Sequence, residues 1–132
     1  MKIIPKRRFG QHFLTDRHYI ERIVAAIAPR PDDTMIEIGP GPGAITAPLL
    51  ARLHHLHAVE IDRDLAAALR GRFAPEQFTL HEEDVLEFDF AKLGGRFRAV
   101  GNLPYNISTP FLFHLAGFAE QLIDGTFMLQ KE

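Results

Sequence analysis

Hydrophobic residues follow two kinds of pattern along the chain, one of helical spacing and one of short continuous runs. The apolar positions within residues 20–27 recur every three or four residues, which predicts an amphipathic helix. Thr15 and Asp16, both good N-cap residues, precede this helix. Pro29 and Pro31 follow it and mark its end.

Short apolar runs predict strands, and helical patterns lie between them. The predicted strands cover residues 34–38, 57–61, 78–81 and 97–100, with a fifth beginning at 127, and the predicted helices between them cover 44–53, 63–73 and 108–118. This alternation is typical of parallel strands joined by right-handed crossovers. We therefore predict an α/β fold with an open, mostly parallel, doubly wound sheet of the Rossmann-like kind. We expect its core to include Phe111, Phe113, Phe118 and Phe127.

The sequence ends at residues 130–132, where the predicted fifth strand ends. No further element covers or extends that strand, so we expect a truncated sheet with an open edge at this position. An open edge exposes unpaired backbone groups and can pair with another chain. The pattern therefore predicts a tendency to dimerise through this edge.

Composition allows one packed domain. The chain has 132 residues, of which 46% are hydrophobic and 24% are charged, which favours a folded core over disorder. It lacks cysteine, which excludes disulfides and thiolate metal sites and favours a reducing compartment, so we expect a cytoplasmic protein. No apolar run approaches the roughly 20 residues that cross a bilayer. The histidines within residues 54–57 have spacings that suit a metal poorly, and we expect no metal site.

Charge is unevenly distributed. The formal net charge is −2, but residues 1–30 contain seven Lys or Arg against two acidic residues, while the rest of the chain is acidic. A basic N-terminal arm over residues 1–15 could contact phosphate groups. It could equally be a solvated, flexible terminus, and charge alone favours this second interpretation because basic termini are common.

A glycine-rich turn follows the first predicted strand. Residues 39–43 read Gly-Pro-Gly-Pro-Gly, and with Ala44 they also fit the dinucleotide pattern G-x-G-x-x-G/A, so NAD must be considered. Pro40 and Pro42 have no N–H to offer to a pyrophosphate. Glu37 places a negative charge before the turn, which suits an ammonium group better than a phosphate. These details favour S-adenosylmethionine over NAD, while a tight turn without a ligand stays the structural alternative.

Acidic residues follow the next two strands. Glu60, at the end of the second predicted strand, could accept hydrogen bonds from both hydroxyls of a ribose. Asp84, after the third, could accept from the amino group of adenine, and Val85 could donate its backbone N–H to a ring nitrogen. The alternatives are a solvated strand end at the first position and a plain acidic loop at the second.

The tetrapeptide at 102–105, Asn-Leu-Pro-Tyr, follows the fourth predicted strand. Loops at the carboxyl ends of parallel strands form the ligand crevice of such folds. An adenine N6 amine is a poor nucleophile, and two acceptors on its N–H groups would localise its lone pair; the Asn102 side-chain oxygen and the Pro104 carbonyl could supply them. Tyr105 could stack on a displaced base. The alternative is a proline turn with Tyr105 in the core.

With these motifs the chain resembles the ribosomal RNA adenine-N6,N6 dimethyltransferase family, typified by the bacterial small-subunit enzymes. The matching segments are Phe9–Leu14, Glu37–Gly41, Glu60–Asp62, Asn102–Thr109 and Met128–Glu132, within a match from about residue 6 to the last. The resemblance implies the fold of S-adenosyl-L-methionine-dependent methyltransferases and this cofactor. It also implies N6,N6-dimethylation of adenines in small-subunit ribosomal RNA, with the ribosomal RNA or the small ribosomal subunit precursor as partner.

The resemblance also implies roles for individual residues. Gln11, His12 and Leu14 would bind the methionine end, although the family often has Asn at position 12. The remaining cofactor residues would be Gly39, Gly41, Glu60, Ile61, Asp84, Val85 and Asn102, and the methyl-transfer centre would comprise Asn102, Pro104 and Tyr105. Family members continue into a C-terminal helical RNA-binding domain that is absent here, which puts catalysis by this chain alone in doubt.

Three rival functions stay open. A large-subunit rRNA methyltransferase of the antibiotic-resistance type shares most motifs, although Leu103 and the segment 9–14 favour a small-subunit enzyme. A non-enzymatic nucleic-acid-binding relative would not need Asn102, Pro104 and Tyr105. An NAD-dependent oxidoreductase would have no use for that tetrapeptide.

Overall fold

The fold is a single parallel sheet with helices on both faces. The computed structural model describes residues 2–5 and 16–129, with side chains from residue 16 onward. The strands in this part are β1 (Lys2–Pro5), β2 (Met35–Ile38), β3 (Leu56–Val59), β4 (Phe78–His81), β5 (Phe97–Leu103) and β6 (Leu122–Leu129). The helices are α1 (Arg17–Ile27), α2 (Thr46–Leu50), α3 (Arg63–Arg72) and α4 (Tyr105–Ala116), with a 3-10 helix at Phe90–Leu93.

The six strands are ordered β1-β6-β5-β2-β3-β4, and every neighbouring pair is parallel. The chain runs from β2 outward to β3 and β4, then returns to the other side of β2 to form β5 and β6. This confirms the doubly wound parallel sheet predicted from the sequence. The order reverses between β2 and β5, and a ligand crevice is expected at the carboxyl ends of these strands.

Local hydrogen bonds fix the helix ends where the sequence placed them. The Asp16 carboxylate accepts from the His18 N–H at 2.9 Å and caps α1. Helix α1 ends at Ala28, which adopts a left-handed conformation with φ 52°. The Asp62 carboxylate caps α3 and accepts from two amides of its first turn, those of Asp64 and Leu65.

Two apolar clusters cover the two faces of the sheet. On one face, α1, α2 and α3 contribute to a cluster that includes Ile23, Ile27, Leu49, Leu69, Val100 and Met128. On the other, Phe90 of the 3-10 helix and Phe111 of α4 pack with Phe88, Phe97 and Phe127, of which the last two come from β5 and β6. Strand β2 is buried along its whole length, as expected for a central strand covered on both sides.

The core assignment of the phenylalanines is confirmed in part. Phe111 and Phe127 are fully buried, and Phe118 packs against the same cluster. Phe113 is 76% exposed, so the prediction that it lies in the core is wrong. It occupies the outer side of α4, two residues beyond the buried Phe111, and the even hydrophobicity of this helix gave no sign of which side faces out.

Several element bounds differ from the predicted ones. Strand β6 begins at Leu122 rather than 127, because the Asp124-Gly125 pair interrupts the apolar run without interrupting the strand. Strand β5 extends to Leu103, so Asn102 lies inside it rather than after it. Helix α4 begins at Tyr105 rather than 108 and includes Pro110. Helix α2 is shorter than the predicted 44–53, and β3 ends at Val59, one residue before Glu60.

The prediction that the last strand forms an open edge is wrong. Strand β1 pairs in parallel with β6, from Lys2 opposite Thr126 to Pro5 opposite Leu129. This pairing removes the reason for expecting dimerisation through β6. Residues 2–5 of the predicted basic arm therefore form the edge strand of the sheet. Residues 6–15 lie outside the described part of the chain.

Candidate active site

A pocket of about 450 Å³ opens at the carboxyl edge of the sheet, where the strand order reverses. Its walls come from the ends of β2, β3 and β5 and from the segment after β4. The lining residues are Ile38, Gly39, Val59, Glu60, Ile61, Glu83, Asp84, Val85, Leu86, Asn102, Leu103, Pro104 and Ile107. The fold therefore brings together seven of the residues named as candidates from the sequence: Gly39, Glu60, Ile61, Asp84, Val85, Asn102 and Pro104.

The glycine turn has a backbone shape that needs glycine. Gly39, Gly41 and Gly43 have φ values of 62°, 56° and 88°, in the region that side chains with a Cβ rarely adopt. Their three N–H groups bond to the Val59 carbonyl, the Glu60 carboxylate and the Pro40 carbonyl. Because Pro40 and Pro42 have no N–H, the turn keeps no free donor for a pyrophosphate. This geometry does not favour the binding of a dinucleotide.

Glu60 links the glycine turn to the pocket. Its Oε1 accepts from the Gly41 N–H at 3.0 Å, and its Oε2 accepts from the Asp62 N–H at 3.1 Å. The side chain is 7% exposed and lines the pocket. Each oxygen retains a second lone pair, so this fixed carboxylate can still accept hydrogen bonds from a ligand. Gly41 itself does not line the pocket; it contributes by orienting Glu60.

Glu37 is buried beneath the glycine turn. Its Oε1 accepts a hydrogen bond of 2.7 Å from the Thr46 hydroxyl, the first residue of α2. Burial raises the pKa of Glu37 to about 7; the Thr46 hydrogen bond opposes this rise, and the nearby Glu60 charge adds to it. Glu37 can therefore change its charge near neutral pH, when a cation approaches the turn.

Asp84 is distinguished from its acidic neighbours by its surroundings. Glu82 and Glu83 form ion pairs with Arg70 and Lys92. Asp84 has no ion pair within residues 16–129, and its Oδ1 accepts from the Leu86 N–H at 2.9 Å. That turn holds the Asp84 side chain and the Val85 backbone at the pocket. The interpretation as a plain acidic loop therefore fits Glu82 but not Asp84.

Asn102 has a buried side-chain oxygen that the described part of the chain leaves unsatisfied. It is one of the residues that line the pocket, near the end of β5, and its Oδ1 is buried without a hydrogen-bond partner in the described part of the chain. A buried acceptor without a donor costs about 1–3 kcal/mol. A half-turn about χ2 exchanges the oxygen and the nitrogen of the carboxamide, so either can face a ligand. This orphaned group is what a binding site for a donor requires.

Pro104 and Tyr105 lie where β5 gives way to α4. The Pro104 carbonyl accepts from the Ile107 N–H at 3.2 Å, which leaves one lone pair for a ligand. Tyr105 is 61% exposed, which excludes the alternative that it lies in the core. It does not line the pocket. The predicted contacts of Gln11, His12 and Leu14 lie outside the described residues.

Comparison with known proteins identifies the family. The model of a family described as ribosomal RNA adenine dimethylase matches residues 5–132. The chain belongs to the ribosomal RNA adenine dimethylase family. Ribosomal RNA small subunit methyltransferase A of Aromatoleum aromaticum is 62% identical over 127 residues, which cover 96% of this chain and 48% of that relative. The protein of the same description in Nitrosospira multiformis is 58% identical over 132 residues, which cover 100% and 51%.

The chain is also similar to a solved structure. The crystal structure of the 23S rRNA methyltransferase ErmE superposes with a TM-score of 0.73 and 31% identity, over 83% of this chain and 44% of that one. The chain thus spans about half the length of the curated relatives and of the solved structure.

Some pocket residues were missed from the sequence. Ile38, Val59 and Leu103 are the last residues of β2, β3 and β5, and the rule that ligands bind at the carboxyl ends of strands could have identified them. Leu86 and Ile107 were not identifiable, because they enter the wall from a loop and from a helical turn. Thr46 was also missed, since its partner Glu37 lies nine residues away.

Among the residues that the structure describes, no three His, Cys, Asp or Glu side chains converge as metal ligands. None of their helices has the length and apolar character that crossing a bilayer demands.

Proposed function

We propose that this chain is the S-adenosyl-L-methionine-binding domain of an enzyme that dimethylates N6 of adenines in small-subunit ribosomal RNA. The observation that carries the proposal is the unsatisfied Asn102 carboxamide, held in a pocket with Gly39, Glu60 and Asp84. An amine that brings N–H donors to this pocket would satisfy it. The family membership and the names of the curated relatives support the same reaction.

The pocket residues suit each part of the proposed cofactor. Glu60, fixed by two backbone amides, would accept from the ribose hydroxyls. Asp84 and the Val85 N–H would bind the adenine edge, with the exposed Ile61 beside them. Gly39 would approach the methionine portion, whose ammonium group would favour the charged form of Glu37. Gln11, His12 and Leu14 would complete that end of the site.

The chemistry proposed for this chain is positioning rather than proton removal. The cofactor supplies an electrophilic methyl group. The Asn102 oxygen and the free lone pair of the Pro104 carbonyl would accept the two N–H groups of the target amine and localise its lone pair. Tyr105, exposed at the start of α4, would stack on the displaced base. No committed base is needed, because the proton can leave to solvent after transfer.

The small subunit is the proposed source of the target adenines, and its precursor in the cytoplasm the proposed partner. The curated relatives carry that name, whereas the ErmE resemblance keeps large-subunit RNA as the alternative. In this proposal, much of the RNA contact belongs to the half of the relatives that the chain does not span.

Titration calorimetry tests the cofactor assignment. We expect the chain to bind S-adenosylhomocysteine with 1:1 stoichiometry and to give no heat with NAD, because the glycine turn has no free N–H for a pyrophosphate. Saturable binding of NAD without binding of S-adenosylhomocysteine would overturn the methyltransferase proposal.

Substitution of Asn102 tests the reaction. Measured in a protein that also carries the half of the relatives beyond this chain, Asn102→Ala should bind S-adenosylhomocysteine with little change and reduce methyl transfer about 100-fold or more, because one preorganised acceptor is lost. Asn106→Ala, at an exposed position on α4, is the matched control and should retain activity. Transfer of labelled methyl groups to immature small subunits and to naked large-subunit RNA, with mapping of the modified adenines, measures both. Undiminished transfer by Asn102→Ala would remove Asn102 from its role.

A further inference from the structure

Ordering the backbone of the glycine turn costs conformational entropy. Three left-handed glycines occur within residues 39–43, and glycine loses more conformational freedom on folding than any other residue. On the pocket side the Gly39 amide bonds to Val59, the last residue of β3, and the Gly41 amide bonds to Glu60, the residue after it. Pro42, on the opposite side of the turn, takes part in neither of these contacts.

Arg72, the last residue of α3, provides a contact on that opposite side. Its Nη1 donates to the Pro42 carbonyl oxygen at 2.7 Å, across 30 residues of sequence. The guanidinium carbon lies 5.0 Å from the centre of the Phe73 ring, a cation–π distance that restrains the side chain. A charged donor on a carbonyl makes one of the stronger hydrogen bonds in proteins.

Gly43 provides the space for this contact. A Cβ at Gly43 would lie 2.8 Å from Nη1 of Arg72 and 3.1 Å from Cδ2 of Leu69. The absence of a side chain at this position therefore does more than permit a φ of 88°. It leaves room for the guanidinium in the position from which it donates to the turn.

We propose that Arg72 is a positioning residue for the cofactor site, which holds the glycine turn from outside while Glu60 holds it from within. Arg72 does not line the pocket, and it acts through the Pro42 carbonyl on the placement of Gly39 and Gly41. This inference rests on the proposed function, because it concerns the affinity for the cofactor.

A pair of matched variants tests the inference. Arg72→Met removes the charge and the hydrogen bond but keeps an unbranched side chain. Arg70→Met is the control, because Arg70 lies on the same helix, is exposed and also donates to a backbone carbonyl, that of Leu80 at 3.2 Å. We expect the Kd for S-adenosylhomocysteine to rise about fivefold in Arg72→Met and to stay unchanged in Arg70→Met. Arg72→Lys should recover part of the affinity, since one donor can still reach the carbonyl.

Amide NMR of the free protein supplies a measurement without ligand. The backbone amide shifts of Gly41 and Gly43 should move in Arg72→Met and stay in place in Arg70→Met. Failure of the unsubstituted chain to bind S-adenosylhomocysteine would overturn the proposed function and this inference with it. If the unsubstituted chain binds, then an equal Kd in both variants, or unmoved glycine amides in Arg72→Met, would overturn the inference about Arg72 alone.

Discussion

Glu37 shows how one residue of the site is placed at the expense of stability. It lies in a central strand with 2% of its surface exposed, and burial raises its pKa to about 7. A carboxylate that keeps a raised pKa destabilises the folded state whenever it is ionised. The Thr46 hydroxyl offsets part of this effect by donating to it. Such a position is understandable if a ligand cation is to be bound close by.

Glu37→Gln should therefore change the pH dependence of stability. The folded pKa is about 7 and the ordinary value is 4.5, so the folded state binds more protons between these values, and its stability falls as pH rises through this window. At pH 8 we expect the variant to be more stable than the parent by about 2 kcal/mol, whereas at pH 4.5 the two should be nearly equal. Urea unfolding at both pH values measures the difference. Exposed Glu120→Gln is the control, and a gain at pH 8 no larger than its own would contradict the argument.

The residues of the site were easier to predict from the sequence than the contacts of their side chains. Glu60, Asp84 and Asn102 were found because each follows or ends a strand, and the ends of parallel strands meet. The sequence could not show that the Asn102 oxygen lacks a partner, or that Tyr105 lies outside the pocket wall. These depend on side-chain orientation, which spacing along the chain does not determine.

Among the elements, β5 is the one that carries Asn102 to the pocket, and Gly101 controls its approach to β2. Gly101 pairs with Ile38, and a Cβ on it would lie 2.6 Å from the Ile38 carbonyl oxygen and 2.9 Å from its Cβ. The two strands therefore converge more closely than a side chain at position 101 would allow. This brings the Asn102 carbonyl within 3.6 Å of the Cβ position of Gly39.

Gly101→Ala should consequently separate the two strands. The clash involves backbone atoms that cannot rotate away, so we expect a loss of about 2–3 kcal/mol in the free energy of unfolding. Gly71→Ala is the control, because no atom lies within 4 Å of its Cβ position and a helical alanine should stabilise by about 1 kcal/mol. Equal unfolding midpoints in urea for Gly101→Ala and the parent would refute the close approach.

Element type was predicted better than element length. The start of α1 and both ends of β4 were predicted correctly, because the Asp16 cap and the apolar run of β4 are strong local signals. The start of β6 was missed, since Asp124 and Gly125 are poor strand formers in isolation. They are tolerated there because the sheet supplies the pairing, and because the Asp124 carboxylate bonds to Arg98.

For the whole molecule, sheet edges and long-range pairing were the least predictable features. Strand β1 joins β6 across more than 100 residues, and four residues of sequence contain no signal for such a partner. The other edge, β4, has two of its outward backbone groups occupied: the Phe78 N–H donates to the Ala74 carbonyl, and the Leu80 carbonyl accepts from Arg70. Occupied groups of this kind protect an edge strand from pairing with another chain.

Arg98 connects parts of the molecule that are distant in sequence. Its guanidinium donates to Asp124 at 2.9 Å and Asp33 at 2.8 Å, and to the carbonyls of Ile27 and Ala28 at the end of α1. Burial alone lowers the pKa of Arg98, but the hydrogen bonds to Asp124 and Asp33 outweigh it and raise the pKa. The group is therefore a permanent cation that ties α1 and the loop before β2 to β5 and β6.

Arg98→Lys should destabilise the whole fold although it keeps the charge. An ammonium group lacks the planar fork that reaches two carboxylates and two carbonyls at once, so some of these partly buried acceptors would lose their donor. We expect a loss of about 2 kcal/mol in the free energy of unfolding, smaller than for a fully buried pair because Asp124 is 42% exposed. Exposed Arg96→Lys, two residues earlier, should be neutral. Because Arg98 joins both halves of the sheet, the loss should lower the single unfolding midpoint in urea, and a locally frayed α1 with an unchanged midpoint would contradict this role.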